Sequence, residues 1–410
     1  MKKKVLALVL AVAMVLALCI GLVACNQDPR EVNLKPIAKD DIKIGLICLH
    51  DENSTYDKNF IDAMKTAVSE LGLRSDQLII RTDVGESQQC YDVASDLIEG
   101  SKCNIIFADS FGHEDYIMKA AWKYTDVRFG HATGTKAHTA KYGNYFNAFA
   151  SIYEGRYLAG VAAGAKLNEM ITAGTITAQQ AKIGYVGAHP YAEVKSGYTS
   201  FYLGAKSVCP SVTMDVKFTS SWYDKDAEKA TAQALIESGC KLISQHADSD
   251  GAPSACEEAG VPNVTYNVSM TNLNSYLVGS KIDWAPYYKM FIQKAIDNEE
   301  IPYDWTGTLT TGSVKLLEYG ANVSQGIKDA VEAAKTALTN GTVKVFDCAN
   351  FTVGGNHLTT YMADVDFDAN FTKDTEAIVK IGETQYVFEE SKHRSAPYFD
   401  IDIDGINLLN

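Results

Sequence analysis

The chain is short of positive charge. Thirty-seven lysines and arginines stand against 51 aspartates and glutamates, a formal net charge of −14. A surface of that sign repels phosphate backbones, which excludes nucleic acid as a partner. Histidine is sparse, 8 in 410 residues, and neither H-x-x-H nor H-E-x-x-H occurs. His246 and Asp248 are the nearest approach to a metal pair, and that spacing is not a ligand motif. No two cysteines form C-x-x-C, so zinc is not expected. A G-x-S-x-G nucleophile elbow, a P-loop lysine motif and a G-x-G-x-x-G turn after the first strand are all missing. Nothing in the chain is a positive sign of catalysis, and no cofactor is expected. Internal repeats and low-complexity segments are missing too.

What is present begins with location. Lys2, Lys3 and Lys4 form a basic start, and Val5 to Val23 is a continuous apolar run long enough to span a membrane. It ends in Leu22-Val-Ala-Cys25, a small-residue cleavage pattern that resembles the bacterial lipobox. The expectation is a signal peptide over 1–24, a lipid on Cys25, a tether over 25–40 and a body held at the outer face of the cell membrane. An uncleaved anchor is the alternative, and it also leaves the body outside or at the membrane. Beyond Cys19 and Cys25 there are seven cysteines, an odd number that cannot all pair internally. Cys48 and Cys103 lie in apolar runs, where cysteine acts as a small hydrophobe.

The length exceeds what one core serves, so two domains are expected. Apolar content of 46% and charged content of 21% are those of a globular protein. Lys182 to Trp222 reads as a β-α-β unit: the apolar run Ile183-Gly-Tyr-Val-Gly187, a helix over Tyr191 to Ser207, and a strand over Val212 to Phe218. Strands at Lys43–Leu49, Leu78–Arg81, Cys103–Ala108 and Val127–Phe129 alternate with helical segments before it. Leu242–Gln245 and Asn263–Asn267 follow it. Alternation of this kind gives α/β, with doubly wound parallel sheets and ligands at the carboxyl ends of the strands. Gly143–Asn147 reads as a crossover. The first lobe is expected over 41–145 plus about 270–307, and the second over 146–269 plus about 308–410. Asp57 is placed as a helix cap, and glycines 155, 160 and 164 are expected to serve close packing. Asn350 onward shows little periodicity.

At the strand ends polar residues stand beside aromatics: Asp57 with Phe60, Asp109 and Ser110 with Phe111, Ser221 with Trp222, His246 with Asp248, Asn267 before Trp284. Aromatic faces stack on flat heterocycles, and Asp and Asn read ring nitrogens and amines. The pattern fits a planar polar ligand such as a purine. Core packing is the competing reading for each ring. Asp51, in the polar loop after the first strand, is read either as solvated or as a ligand contact.

At these residues the chain resembles the basic membrane protein family, the lipoprotein substrate-binding components of ABC importers related to purine nucleoside receptor A. Asp57-Lys-Asn-Phe60 is similar to its Asp-x-x-aromatic motif. Phe107-Ala-Asp-Ser-Phe111 resembles its loop after the third strand, and Tyr153-Glu-Gly-Arg-Tyr-Leu-Ala-Gly160 its helix at the first crossing. Ser221-Trp-Tyr-Asp224, Gln245-His-Ala-Asp-Ser249 and Ala396-Pro-Tyr-Phe-Asp400 resemble a purine-base branch. The resemblance implies a type I periplasmic-binding-protein fold, two Rossmann-like lobes joined by three crossings, and delivery of a purine base or nucleoside to an ABC permease. It implies a stacking role for Phe60 and ligand contacts at Asp51 and Asp109. Asn267 falls where nucleoside receptors carry an Asp that holds ribose hydroxyls, which favours a base over a nucleoside. The same fold binding a sugar or signalling compound, or an extracellular nucleoside-processing enzyme, are the alternatives.

Overall fold

The computed structural model describes residues 31–366 and 372–409. The expected signal peptide, Cys25 and the start of the tether lie outside the described residues. Among the described residues no helix is long and apolar enough to cross a membrane.

In chain order the strands are β1 (Ile44–Ile47), β2 (Leu78–Arg81), β3 (Ile105–Ala108), β4 (Arg128–Ala132), β5 (Tyr145–Ala150), β6 (Lys182–Gly187), β7 (Thr213–Phe218), β8 (Leu242–His246), β9 (Asn263–Tyr266), β10 (Tyr276–Ile282), β11 (Asp304–Gly307) and β12 (Val314–Leu316). Shorter strands β13 (Met362–Ala363), β14 (Thr375–Glu376), β15 (Ile378–Ile381), β16 (Gln385–Phe388) and β17 (Ile406–Leu408) follow. One sheet runs β11-β5-β4-β3-β1-β2 and is parallel throughout. The other runs β12-β10-β9-β8-β6-β7-β17, with only β12 antiparallel. Short apolar strands such as β1 and β3 are buried along their whole length. A parallel sheet covered by helices on both faces requires this.

The chain passes between the sheets three times: after β5, after β10 and between β11 and β12. Two details differ from the sequence reading. Tyr145–Ala150 is a full strand of the first sheet, so the first crossing comes at Ser151 rather than at Gly143–Asn147. Tyr276–Ile282, expected in the first lobe, pairs with β9 in the second sheet. An apolar strand fits either sheet, and only its partner decides. The chain returns to the first lobe at Trp284, and the helix Ala285–Asp297 packs on the helix Thr55–Glu70.

The helices Ile152–Thr172 and Ala192–Val208 cross at glycines on both sides. A Cβ at Gly160 would lie 2.0 Å from the Phe201 carbonyl oxygen, and one at Gly204 would lie 2.0 Å from that of Tyr157. The glycines lower helix propensity and are kept because the two backbones touch there.

All seven described cysteines are free and buried. The C-terminal segment packs into the core of the second lobe through Phe346, Phe351, Phe388, Phe399, Ile401 and Ile403, and β17 extends that sheet beside β7.

Candidate functional site

The carboxyl ends of both sheets face each other across a small cavity, the place where such sheets hold ligands. From the first lobe Leu49, His50, Tyr56, Asp57, Ser110, Phe111 and Thr133 line it. From the second come Glu193, Trp222, His246, Asp248 and Tyr266. No lysine or arginine is among them, so the lining is acidic and aromatic.

Asp57 is built in from the helix start. The cap of the helix Thr55–Glu70 is Ser54, not Asp57 as expected. Asp57 sits in the first turn, where its N–H donates to Ser54 Oγ at 3.2 Å and its Oδ2 accepts from that hydroxyl at 2.6 Å. Its Oδ1 accepts the His50 backbone N–H at 2.9 Å, and His50 Nδ1 lies 3.4 Å from Oδ2. Burial raises the Asp57 pKa, but the hydrogen bonds from His50 and Ser54 outweigh it and the net shift is downward. His50 moves up because of its hydrogen bond to Asp57. The two form a hydrogen-bonded pair in the cavity lining.

Asp109 follows β3 and is fully buried. Its Oδ1 accepts the Leu49 N–H at 3.2 Å, and its Oδ2 has no partner. Burial, then the nearby Asp57 charge, holds its pKa well above the carboxylate range. It supports the cavity wall from behind, and its backbone carbonyl accepts the Tyr56 hydroxyl at 2.7 Å. Cys48, Asp57 and Asp109 bring ligand atoms within 4.8 Å of one another. Burial drives the Cys48 thiol and the Asp109 carboxyl upward, while the hydrogen bonds from His50 and Ser54 hold Asp57 down.

On the second lobe His246 ends β8, with its Nε2 3.4 Å from Glu193 Oε1 and its ring 4.3 Å from that of Tyr266. Burial pushes its pKa down, so the imidazole is neutral. Its Nδ1 has no partner. Asp248 is raised well above the carboxylate range by burial, then by Glu228, Asp57 and Glu193. Its backbone carbonyl accepts the Thr55 N–H at 2.9 Å and the Thr55 hydroxyl at 3.1 Å, which ties the lobes across the cleft. Beneath this wall Arg156, fully buried, donates to Thr265 O, Ser280 Oγ, Tyr185 OH, Ser244 Oγ and Gln245 O. It gathers the strand ends that carry His246 and Tyr266.

Of the residues expected from the sequence, Asp57, Phe111, Trp222, His246 and Asp248 line the cavity, and Asp109 stands behind it. Four do not reach it. Phe60 stacks on Trp284, centroids 4.4 Å apart, in the core of the first lobe. Both rings face inward because their helices pack on each other. Asp51 accepts from Asn53 N and Nδ2, each at 2.9 Å, and so closes its own exposed loop. Asn267 has φ +61° and its Oδ1 meets Asn59 Nδ2 at 3.5 Å. Asn tolerates that left-handed backbone better than most residues, which accounts for it without a ligand. His50, Tyr56, Thr133, Glu193 and Tyr266 were not singled out. His50, Thr133 and Tyr266 lie at or within three residues of a strand end, Tyr56 and Glu193 in the first turn of the next helix, and Tyr56 and Tyr266 directly precede residues that were.

Two α/β lobes facing each other across an acidic aromatic cavity are an arrangement suited to holding a small solute. The comparisons agree. Residues 44–345 match the family model of the ABC transporter substrate-binding proteins, PnrA-like, and the chain belongs to that family. It is similar to the "Purine-binding protein BAB2_0673" of Brucella abortus, 30% identical over 75% of this chain and 84% of that one. It is also similar to the "Putative ABC transporter glucose-binding protein TsgA13" of Haloferax volcanii, 34% identical over 59% of each chain. The match thus spans under two thirds of the Haloferax protein. Among solved structures, a solute-binding protein from Aeropyrum pernix K1 shares the fold at a TM-score of 0.60 and 14% identity, covering 77% of this chain and 94% of that one. One from Conexibacter woesei does so at 0.59 and 17%, covering 74% and 98%.

Proposed function

We propose that the protein captures a purine base in the interlobe cavity and delivers it to the permease of an ABC importer, held at the outer face of the membrane by a lipid on Cys25. The observation that carries the ligand is the pairing of flat rings with buried carboxyls in one cavity. Trp222 and Phe111 stand on opposite lobes of the cavity with Tyr266 also in its lining, while burial pushes the Asp248 pKa well up. A protonated carboxyl donates and accepts at once, which matches the adjacent donor and acceptor on a purine edge. His246 lines the cavity as well, with its Nε2 3.4 Å from Glu193 Oε1. The purine-binding Brucella relative supports this reading.

A sugar is the second reading, favoured by the Haloferax relative. A thermal-shift panel on the refolded body separates the two. Adenine, guanine, hypoxanthine, xanthine, adenosine, inosine and glucose would be compared. A free base should raise Tm and glucose should leave it unchanged; the opposite pattern would move the assignment to sugars.

A further inference from the structure

The C-terminal segment has a place in the working of the cleft. It is built into the second lobe. Phe399 stacks on Phe346 with centroids 4.4 Å apart, β17 pairs with β7, and Lys195 holds Asp402 at 2.5 Å. Between these anchors the chain reaches the first lobe at Ser395. Arg394 donates to the carbonyls of Val365, Ala396 and Pro397 at 2.9–3.1 Å, which fixes the turn that presents Ser395.

Ser395 docks on the first sheet. Its N–H donates to Asp304 Oδ2 at 2.7 Å, its hydroxyl donates to Asp304 Oδ1, and it accepts from Asn147 Nδ2 at 3.0 Å. Asp304 and Asn147 are register partners on β11 and β5. Asn147 Oδ1 in turn accepts the Gly134 N–H at 2.8 Å, in the loop after β4. Ser395 is buried, and its two bonds to the Asp304 carboxylate are charge-assisted.

Beside this junction lies a second chamber. Phe111 and Thr133 wall it from the first lobe, Glu193 and Trp222 from the second, and Arg394 and Tyr398 from the C-terminal segment. The first four also line the inner cavity, so the segment is the side wall of the passage to it.

We propose that Ser395 is a latch: through it the C-terminal segment, part of the second lobe, fastens the first lobe, and release of this fastening sets how far the cleft opens. Ser395 is a positioning residue, since it touches no cavity-lining group. The effect on solute exchange rests on the reading of the inner cavity given above; the effect on opening does not.

The test is a distance measurement on the ligand-free, refolded protein. Nitroxides are placed at Lys58→Cys on the first lobe and Asp226→Cys on the second, both exposed, with the seven buried cysteines kept. Electron double resonance should give one narrow distance in the otherwise unaltered protein. Ser395→Ala should add a longer, open population, and Ser395→Thr, which restores the hydroxyl, should remove it. Asp304→Ala, which removes the receiving carboxylate, should act as Ser395→Ala does. Identical distributions in Ser395→Ala, Asp304→Ala and the parent would overturn the proposal. In stopped flow, adenine should leave Ser395→Ala several-fold faster. Absence of adenine binding in every variant would count against the purine reading alone, because the distances are read without ligand.

Discussion

The ring of Phe60 stacks on that of Trp284, centroids 4.4 Å apart and planes inclined by 22°. The contact joins the first helix of the chain's body to the helix that returns from the second lobe. Both residues were expected to hold a ligand, and both instead hold the first lobe together where the second crossing lands. The two candidate stacking residues Phe60 and Trp222 therefore have different jobs, and substitution separates them. Phe60→Ala should lower stability by about 3–5 kcal/mol, the range for removal of a buried phenylalanine, as read by chemical denaturation.

Trp222→Ala should do the reverse. Trp222 is only partly buried, in edge contact with His189 at 5.0 Å, so the fold should survive. Loss of stacking should weaken binding of a purine base by about 1–3 kcal/mol. An unchanged dissociation constant would remove Trp222 from the site.

Glu228 lies under the loop that carries Asp248, with its Oε2 accepting the Ser249 N–H at 3.2 Å. Burial raises its pKa to about 7, partly offset by the hydrogen bonds from Ser249. Between its ordinary value of 4.5 and about 7 the folded state binds a proton that the unfolded state has lost. Stability therefore falls as pH rises through that window and levels off above it. Glu228→Gln should remove this slope and raise Tm more at pH 8 than at pH 4. By the free energy of one pKa unit the effect is at most about 3 kcal/mol. A parallel pH dependence of Tm in parent and variant would contradict the assignment.

Gly160→Ala and Gly204→Ala each place a methyl 2.0 Å from a carbonyl oxygen of the facing helix. Alanine is the better helix former by about 1 kcal/mol, so a gain in stability would follow from propensity alone. The helices must instead move apart, and a net loss of about 1–3 kcal/mol is expected. Urea denaturation of each variant checks the sign.

The strand ends were legible because short apolar runs alternate with helices, and a parallel sheet puts its ligands there. Asp57, Phe111, Trp222, His246 and Asp248, singled out on this ground, line the cavity. Phe60 and Trp284 were misplaced because an aromatic on a helix looks the same whether its stripe faces a core or a cleft. Asn267 was read as chemistry, while its φ of +61° is a backbone requirement that no residue type alone declares. Tyr266, the last residue of β9, and Glu193, in the first turn of the helix after β6, are not legible, since sequence does not say which side chain at a strand or helix end points inward. β10 was put in the wrong lobe because its partner, β9, is a tertiary fact. The irregular C-terminal segment carries no periodicity to read, and its meaning lies in one serine reaching across the cleft.

The most direct test of the central claim is isothermal titration of the soluble body, starting after Cys25 and refolded to strip carried ligand. Adenine and hypoxanthine, their nucleosides and glucose would be titrated in turn. The account predicts a free base bound at about micromolar affinity or tighter, near −8 kcal/mol, with its nucleoside much weaker and glucose silent. Heat with glucose and none with any purine would contradict it.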